Sequence, residues 1–211
     1  MRRLPVYLLI DTSGSMRGEP IQSVNVGLQA LVGSLRQDPH ALESVHLSII
    51  TFDREVSVAV PLTALDEFQL PEILTPESGP THLGRALELL CTQLDAEVVQ
   101  STAEQKGDWL PLLFVMTDGS PSDLAVFNEQ VIEIKARHFA QIIGCAAGPK
   151  AKEQFLKEFC THVVSLDVTD SSTFSSFFSW VSRAVTTGSR SVGTAAEMLL
   201  PPPPAEVQMV V

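Results

Sequence analysis

Two short segments of this sequence combine carboxylates and hydroxyls in a pattern suited to binding a metal ion. One apolar run leads directly into Asp11, Ser13 and Ser15, and a second leads directly into Thr117 and Asp118. Two carboxylates that face each other repel unless a proton or a cation lies between them. Hydroxyls and carboxylates are hard oxygen donors, and neither segment contains His or Cys. The residue types therefore favour Mg²⁺, Mn²⁺ or Ca²⁺ over Zn²⁺.

The elements that must position these residues alternate along the chain between strand-length apolar runs and amphipathic helices. This alternation predicts an α/β fold with a doubly wound, mostly parallel six-stranded sheet, one antiparallel edge strand and helices on both faces. Ligands of such sheets bind beyond the carboxyl ends of the strands, which is where Asp11 and Asp118 are expected. The six predicted strands are Leu4–Ile10, Val45–Phe52, Glu55–Val60 closed by Pro61, Leu110–Met116, Phe139–Ala147 and Val163–Leu166.

The composition changes near the C-terminus. Residues 1–186 are predicted to form one domain, and residues 187–211 are predicted to be a flexible tail, rich in Ser and Gly and then in Pro. Four consecutive prolines, Pro201–Pro204, favour an extended polyproline conformation over a helix or a sheet strand.

The overall charge excludes some classes of partner. The 211 residues carry 14 Lys and Arg against 25 Asp and Glu, a formal net charge of −11, which argues against nucleic-acid binding and docking on anionic membranes. The 3 cysteines form no CxxC pair and predict neither disulfides nor a zinc site. Asp11 interrupts the first apolar run and no cleavage site follows, so we expect a cytoplasmic protein.

The pattern Asp11-x-Ser13-x-Ser15, together with Thr117-Asp118-Gly119 at a strand end, resembles the metal-ion-dependent adhesion site of von Willebrand factor A domains. This resemblance extends along the chain to about residue 186 and implies the strand order 3-2-1-4-5-6. It also implies that a divalent ion, Mg²⁺ first, docks an Asp or Glu of a partner protein. The five metal-site residues that it implies are Asp11, Ser13, Ser15, Thr81 and Asp118.

Two further stretches, Arg3–Tyr7 and Lys106–Trp109, resemble the TerY-like members of that family, which belong to bacterial tellurium-resistance clusters. The resemblance implies a metal-binding adaptor or scaffold in the response to tellurite and metal stress. A protein kinase and a protein phosphatase accompany such proteins, and either is a partner implied by this resemblance.

Other residues and functions stay open from the sequence alone. Glu19, Asp53, His82 and Asp123 are predicted to lie at the rim of the site, where acidic side chains could accept hydrogen bonds from metal-bound water. Thr81 could instead cap a helix. The alternatives are a metal-dependent phosphatase or phosphotransferase that uses Asp11 as nucleophile, and a metal-free interaction module. We expect no enzyme, because no general acid accompanies Asp11.

Overall fold

The fold is a seven-stranded sheet covered by helices on both faces, in a computed structural model that describes residues 2–77, 79–148, 151–167, 170–190 and 200–210. The strand order is β3-β2-β1-β4-β5-β6-β7. The strands are β1 Leu4–Asp11, β2 Val45–Phe52, β3 Val56–Ala64, β4 Leu112–Thr117, β5 Gln141–Ala147, β6 His162–Leu166 and β7 Gln208–Val210. The helices of the described residues are α1 Glu19–Arg36, α2 Pro39–Ser44, α3 Leu83–Glu97, α4 Leu124–Ala136, α5 Glu153–Lys157 and α6 Ser171–Arg190.

The predicted α/β class, the mostly parallel sheet and the order 3-2-1-4-5-6 are confirmed. Strands β2, β1, β4, β5 and β6 run parallel, and every residue of β1 and β4 is buried. Central strands covered on both faces lack the alternation of one-sided strands, which explains their continuous apolar sequence. Because β1 pairs in parallel with β4, the carboxyl ends of these two strands lie together at one edge of the sheet.

Two apolar layers enclose the sheet. Side chains of α1 and α6 pack against one face together with Leu8 and Ile10 of β1. Those of α3 and α4 pack against the other face with Tyr7 and Leu9. Alternate residues of one strand therefore serve opposite layers. Across the part of the chain that the structure describes, none of the helices has the length and apolar character needed to span a bilayer.

Strand β3 is longer than predicted. It was expected to close at Pro61, but it continues through this residue to Ala64, and its pairing with β2 shifts register between Leu47 and Ile50. A proline lacks the N–H that a central strand would need, but an edge strand tolerates it. The structure also contains α2. Asp38 caps the start of this helix, because its carboxylate accepts a 3.0 Å hydrogen bond from the Ala41 amide.

The C-terminal residues differ from the predicted flexible tail. Helix α6 continues past residue 186 to Arg190, and β7 pairs antiparallel with β6, which adds a seventh strand and a second antiparallel pair to the predicted sheet. The Trp180 indole N–H donates a 2.8 Å hydrogen bond to the Pro201 carbonyl, and Val207 is buried. Residues 191–199, which the tail prediction includes, lie outside the described residues.

Candidate metal site

The strand register places the two predicted acidic segments side by side. Strand β1 pairs with β4 so that Ile10 lies opposite Met116, which brings Asp11 next to Thr117 at the carboxyl ends of both strands. The Thr117 hydroxyl donates a 2.6 Å hydrogen bond to Asp11 Oδ2. The adjacency expected of Asp11 and the Thr117–Asp118 segment is therefore present in the structure.

The loop after β1 folds back onto the Asp11 carboxylate. The Ser13 amide donates a 2.8 Å hydrogen bond to Asp11 Oδ1, and the Met16 amide bonds to the Ser13 carbonyl at 2.9 Å in a short 3-10 helix. The Met16 side chain is fully buried and anchors this turn in the core. Gly18 then adopts φ +89°, a conformation that favours glycine, and the chain enters α1.

The serine hydroxyls connect Asp11 with Asp118. Ser13 Oγ lies 3.3 Å from Ser15 Oγ, and Ser15 Oγ donates a 2.8 Å hydrogen bond to Asp118 Oδ1. Asp11 and Ser13 are 0% and 1% exposed, whereas Ser15 is exposed to solvent. The cluster is thus closed at its Asp11 end and opens to the surface at Ser15.

Burial dominates the electrostatics of Asp11. Removal from water raises the pKa of this carboxyl from 3.8 to about 6, although hydrogen bonds from Thr117 and Ser13 act in the opposite direction. The nearby Asp118 carboxylate adds to the rise. The Ser13 and Thr117 groups that bond to Asp11 are neutral, so the burial of its negative charge is not offset by a cationic side chain among these partners. A bound cation would offset it.

Thr81 approaches the cluster from a third loop. It is 7% exposed, and a Cβ atom built on Gly119 would lie 3.3 Å from Thr81 Oγ1, so this hydroxyl lies beside the residue that follows Asp118. The N-cap of α3 is His82, so Thr81 does not occupy the capping position that the sequence offers as its alternative role. Thr81 instead bonds through its backbone to Ser122, with Thr81 N donating to Ser122 Oγ at 3.2 Å and Ser122 N to the Thr81 carbonyl at 2.8 Å.

Three of the residues predicted for the rim lie around these loops. Asp53 Oδ2 accepts a 2.8 Å hydrogen bond from the Thr12 hydroxyl and so fixes the loop after β1 from the side of β2. His82 Nδ1 lies 3.0 Å from the Arg54 carbonyl oxygen. Glu19 is exposed and begins α1. Asp53 thus contacts the loop after β1, and His82 contacts the loop after β2.

Asp123, the fourth rim residue, contacts the start of α3. Its Oδ1 accepts a hydrogen bond from the Gly84 amide at 3.1 Å and its Oδ2 accepts one from the Arg85 amide at 2.9 Å. This contact was not predicted from the sequence, and neither were the bonds that Thr117 and Ser122 make. The signal for Thr117 was its position at a strand end beside Asp118, whereas nothing in the sequence pairs Ser122 with Thr81.

The donor set fits a hard divalent cation. Among the described residues, no group of three or more His, Cys, Asp or Glu is arranged to hold a metal ion, and the cluster offers two carboxylates together with neutral hydroxyls. Mg²⁺ and Mn²⁺ commonly bind through one or two carboxylates, with water or a ligand completing the shell. Such a site keeps room for an outside oxygen ligand.

Known proteins are similar to this chain in domain type and in fold. The family model of the von Willebrand factor type A domain matches residues 6–180. No curated relative matches the sequence. Proximal thread matrix protein 1 from the mussel byssus is 19% identical, with a TM-score of 0.65 over 86% of this chain and 48% of that chain.

Two other solved structures are similar. One is the same mussel protein with a zinc-occupied MIDAS motif, at 16% identity and a TM-score of 0.62 over 86% of this chain and 48% of that chain. The other is a von Willebrand factor type A protein from Catenulispora acidiphila, at 14% identity and a TM-score of 0.63 over 88% of this chain and 43% of that chain. This chain spans about half the length of these proteins, and at these identities the likeness is one of fold.

Proposed function

Because this chain belongs to the von Willebrand factor type A domain family, we propose that it is a protein-binding module that uses a divalent cation to dock an acidic side chain of a partner. We expect the cation to be Mg²⁺, and Mn²⁺ or Ca²⁺ are the alternatives. The residues proposed to hold it are Asp11, Ser13, Ser15, Thr81 and Asp118. The observation that carries the proposal is the buried Asp11 carboxylate, bonded only to neutral groups among the described residues and linked by serine hydroxyls to a second carboxylate.

Each group has a part in this function. Asp11 supplies buried negative charge and orients the Ser13 amide and the Thr117 hydroxyl. Ser15 and Asp118 form the side of the cluster that opens to solvent. A bound divalent cation would supply the positive charge that a partner carboxylate needs. Two carboxylates balance a charge of +2 without exceeding it, so the site carries no surplus negative charge to repel an anionic ligand at an open coordination position. Binding then depends on both the metal and the orientation of the ligand.

The structure favours this proposal over a phosphoryl-transfer enzyme. A carboxylate nucleophile must reach the substrate, but Asp11 is fully buried and both of its oxygens accept hydrogen bonds. Each carboxylate oxygen has a second lone pair, so Asp11 can bind an ion enclosed in the cluster without reaching a substrate.

Calorimetric titration with Mg²⁺ and Mn²⁺ tests metal binding, and it should reach millimolar concentrations because such sites bind weakly. We expect uptake by the wild type and strongly reduced uptake by Ser15→Ala, whose hydroxyl is exposed and whose loss should leave the fold intact. Ser57→Ala is the matched control, since this exposed serine bonds to Thr51 near the edge of the sheet. Equal uptake by all three proteins would contradict the proposed site.

A second experiment tests the partner. The wild-type chain should retain a protein from a native lysate in Mg²⁺ and release it in chelator, and an acidic-to-amide substitution in that protein should abolish retention. A Zn²⁺ arm is included because zinc occupies the motif in the mussel protein. Turnover of phosphorylated substrates that requires Mg²⁺ and Asp11 would refute the adaptor function.

We also propose a cytoplasmic role in the tellurite and metal-stress response, with a protein kinase or phosphatase as partner. The support is the resemblance to TerY-like proteins through Arg3–Tyr7 and Lys106–Trp109. These stretches are in contact: Arg3 forms an ion pair with Asp108 at 2.5 Å, and the Trp109 amide donates a 2.9 Å hydrogen bond to the Arg3 carbonyl. Deletion of the gene should reduce growth of the host in tellurite, and unchanged growth would refute this role.

A further inference from the structure

The N-terminus of α3 takes its capping group from a distant segment. The side chain of its N-cap residue, His82, makes no capping hydrogen bond. The Gly84 and Arg85 amides donate instead to the two carboxylate oxygens of Asp123. The first amides of a helix have no partner within the helix, and a carboxylate there also complements the helix dipole. Asp123 therefore fixes the first turn of α3 to the start of α4.

The residue before Asp123 holds Thr81 in the same way. Ser122 accepts from the Thr81 amide through its hydroxyl and donates its own amide to the Thr81 carbonyl. Two consecutive residues thus make four hydrogen bonds to the segment from Thr81 to Arg85. The helices are also in direct contact, because a Cβ atom on Gly84 would lie only 2.4 Å from the Phe127 backbone nitrogen. This double contact leaves little freedom for Thr81.

Thr81 needs such support because it does not belong to a helix or a strand. Strand β3 ends at Ala64 and α3 begins at Leu83, so Thr81 lies in the intervening loop. We propose that Asp123 is a positioning residue of the metal site, which acts by holding α3 and Thr81 so that the Thr81 hydroxyl lies beside the Asp118–Gly119 backbone. This inference rests on the proposed function of the site.

Asp123→Asn tests the inference, because asparagine keeps the shape but offers one acceptor oxygen for two amides. Loss of a group that orients a metal ligand typically weakens metal affinity by 10- to 100-fold, so we expect about a tenfold weaker Mn²⁺ affinity by calorimetry. Hydrogen exchange of the Gly84 and Arg85 amides should become faster in the metal-free protein. Ser122→Ala is the milder variant, and it should weaken Mn²⁺ binding in the same direction.

Two comparisons separate positioning from a general loss of structure. Asp38→Asn changes a carboxylate that caps α2 from the N-cap position, away from the cluster, and should leave Mn²⁺ affinity unchanged. Thr81→Ala should weaken Mn²⁺ binding, and adding Asp123→Asn to it should cause little further loss, because both act through one hydroxyl.

Each outcome decides a different point. Wild-type Mn²⁺ affinity in folded Asp123→Asn, or additive losses in the double variant, would overturn the positioning role while leaving the proposed function intact. A wild-type chain that takes up no Mn²⁺ or Mg²⁺ would overturn the proposed function, and the positioning role with it. Faster exchange at Gly84 and Arg85 would then show only that Asp123 caps α3.

Discussion

Replacing Asp11 by asparagine should stabilise the metal-free protein at neutral pH while removing its response to metal. Asp11 is fully buried, and burial raises its pKa from 3.8 to about 6. One pKa unit corresponds to about 1.4 kcal/mol, so the ionised carboxylate lowers the free energy of unfolding by about 3 kcal/mol. Asparagine carries no charge. Its oxygen can accept from the Ser13 amide, and its NH₂ group can donate to the Thr117 hydroxyl.

The pH dependence follows from the direction of this shift. Between the ordinary pKa of 3.8 and about 6, the folded chain binds more protons at Asp11 than the unfolded chain. This group's contribution to the free energy of unfolding therefore falls as pH rises through that window and stays low above it. The advantage of Asp11→Asn should be up to about 3 kcal/mol near pH 7.5 and should vanish near pH 4.

Urea unfolding in chelator, followed by the fluorescence of the two tryptophans, measures this difference at both pH values. Added Mg²⁺ at about 100 times its Kd should stabilise the wild type by about 2.7 kcal/mol and leave Asp11→Asn unchanged. The reasoning is refuted if Asp11→Asn is less stable than the wild type by more than about 1 kcal/mol near pH 7.5 in chelator. That result would mean that the hydrogen bonds accepted by the carboxylate outweigh the cost of burying its charge.

Asp108→Asn is the matched control with the opposite sign. Burial acts to raise the pKa of Asp108, but hydrogen bonds from Arg3 and from the Val99 amide outweigh it and hold this pKa below its ordinary value. A lowered pKa contributes stability above the unfolded pKa of about 4, and this contribution is lost as pH falls through the folded value. Asp108→Asn should therefore lower the free energy of unfolding at neutral pH. As the pH falls, the variant should lose less stability than the wild type, because it lacks the contribution of Asp108 from the start.

The helix packing and the C-terminal strand give two further predictions. Gly27→Ala should lower the free energy of unfolding by about 1 to 3 kcal/mol, because its Cβ atom would lie 2.1 Å from Phe178 Cδ2. Gly33→Ala, where no atom lies within 4 Å of the new Cβ, should raise it by about 0.5 to 1 kcal/mol, and urea-unfolding shifts of the same sign for both would contradict this packing. Trp180→Phe removes the 2.8 Å bond to the Pro201 carbonyl, so we expect a loss of about 1 to 3 kcal/mol and faster hydrogen exchange in Gln208–Val210. Unchanged exchange there would show that Trp180 does not hold β7.

The central strands and the sheet edge at which the acidic segments lie could be predicted because each depends on a local pattern. Leu4–Ile10 and Leu110–Met116 are continuous apolar runs, and such runs form strands buried on both faces. A carboxylate directly after a central parallel strand lies at the sheet edge where ligands bind. Asp11 and the Thr117–Asp118 segment lie at that edge for this reason, and they are adjacent because β1 pairs with β4, as the strand order implied by the family resemblance requires.

Other features could not be predicted because their cause lies between segments that are distant in sequence. Strand β7 forms because β6 offers an unpaired edge and Trp180 offers a donor to Pro201, whereas a run of prolines by itself favours an extended tail. The sequence predicts an edge strand that ends before Pro61. The strand continues through Pro61 to Ala64 because an edge strand tolerates a proline, and the sequence alone does not show that the residues after Pro61 belong to this strand.

The sequence by itself determined the strand-forming runs, the helical faces and the residue types that gather at one edge of the sheet, because hydrophobic periodicity acts over a few residues. Only the tertiary structure decided which groups satisfy the hydrogen bonds around that edge. Asp123 binds the amides of α3 and Ser122 holds Thr81 because the packing of α3 against α4 brings together segments about 40 residues apart. Hydrogen bonding acts over about 3 Å, so its partners depend on that packing rather than on any pattern along the chain.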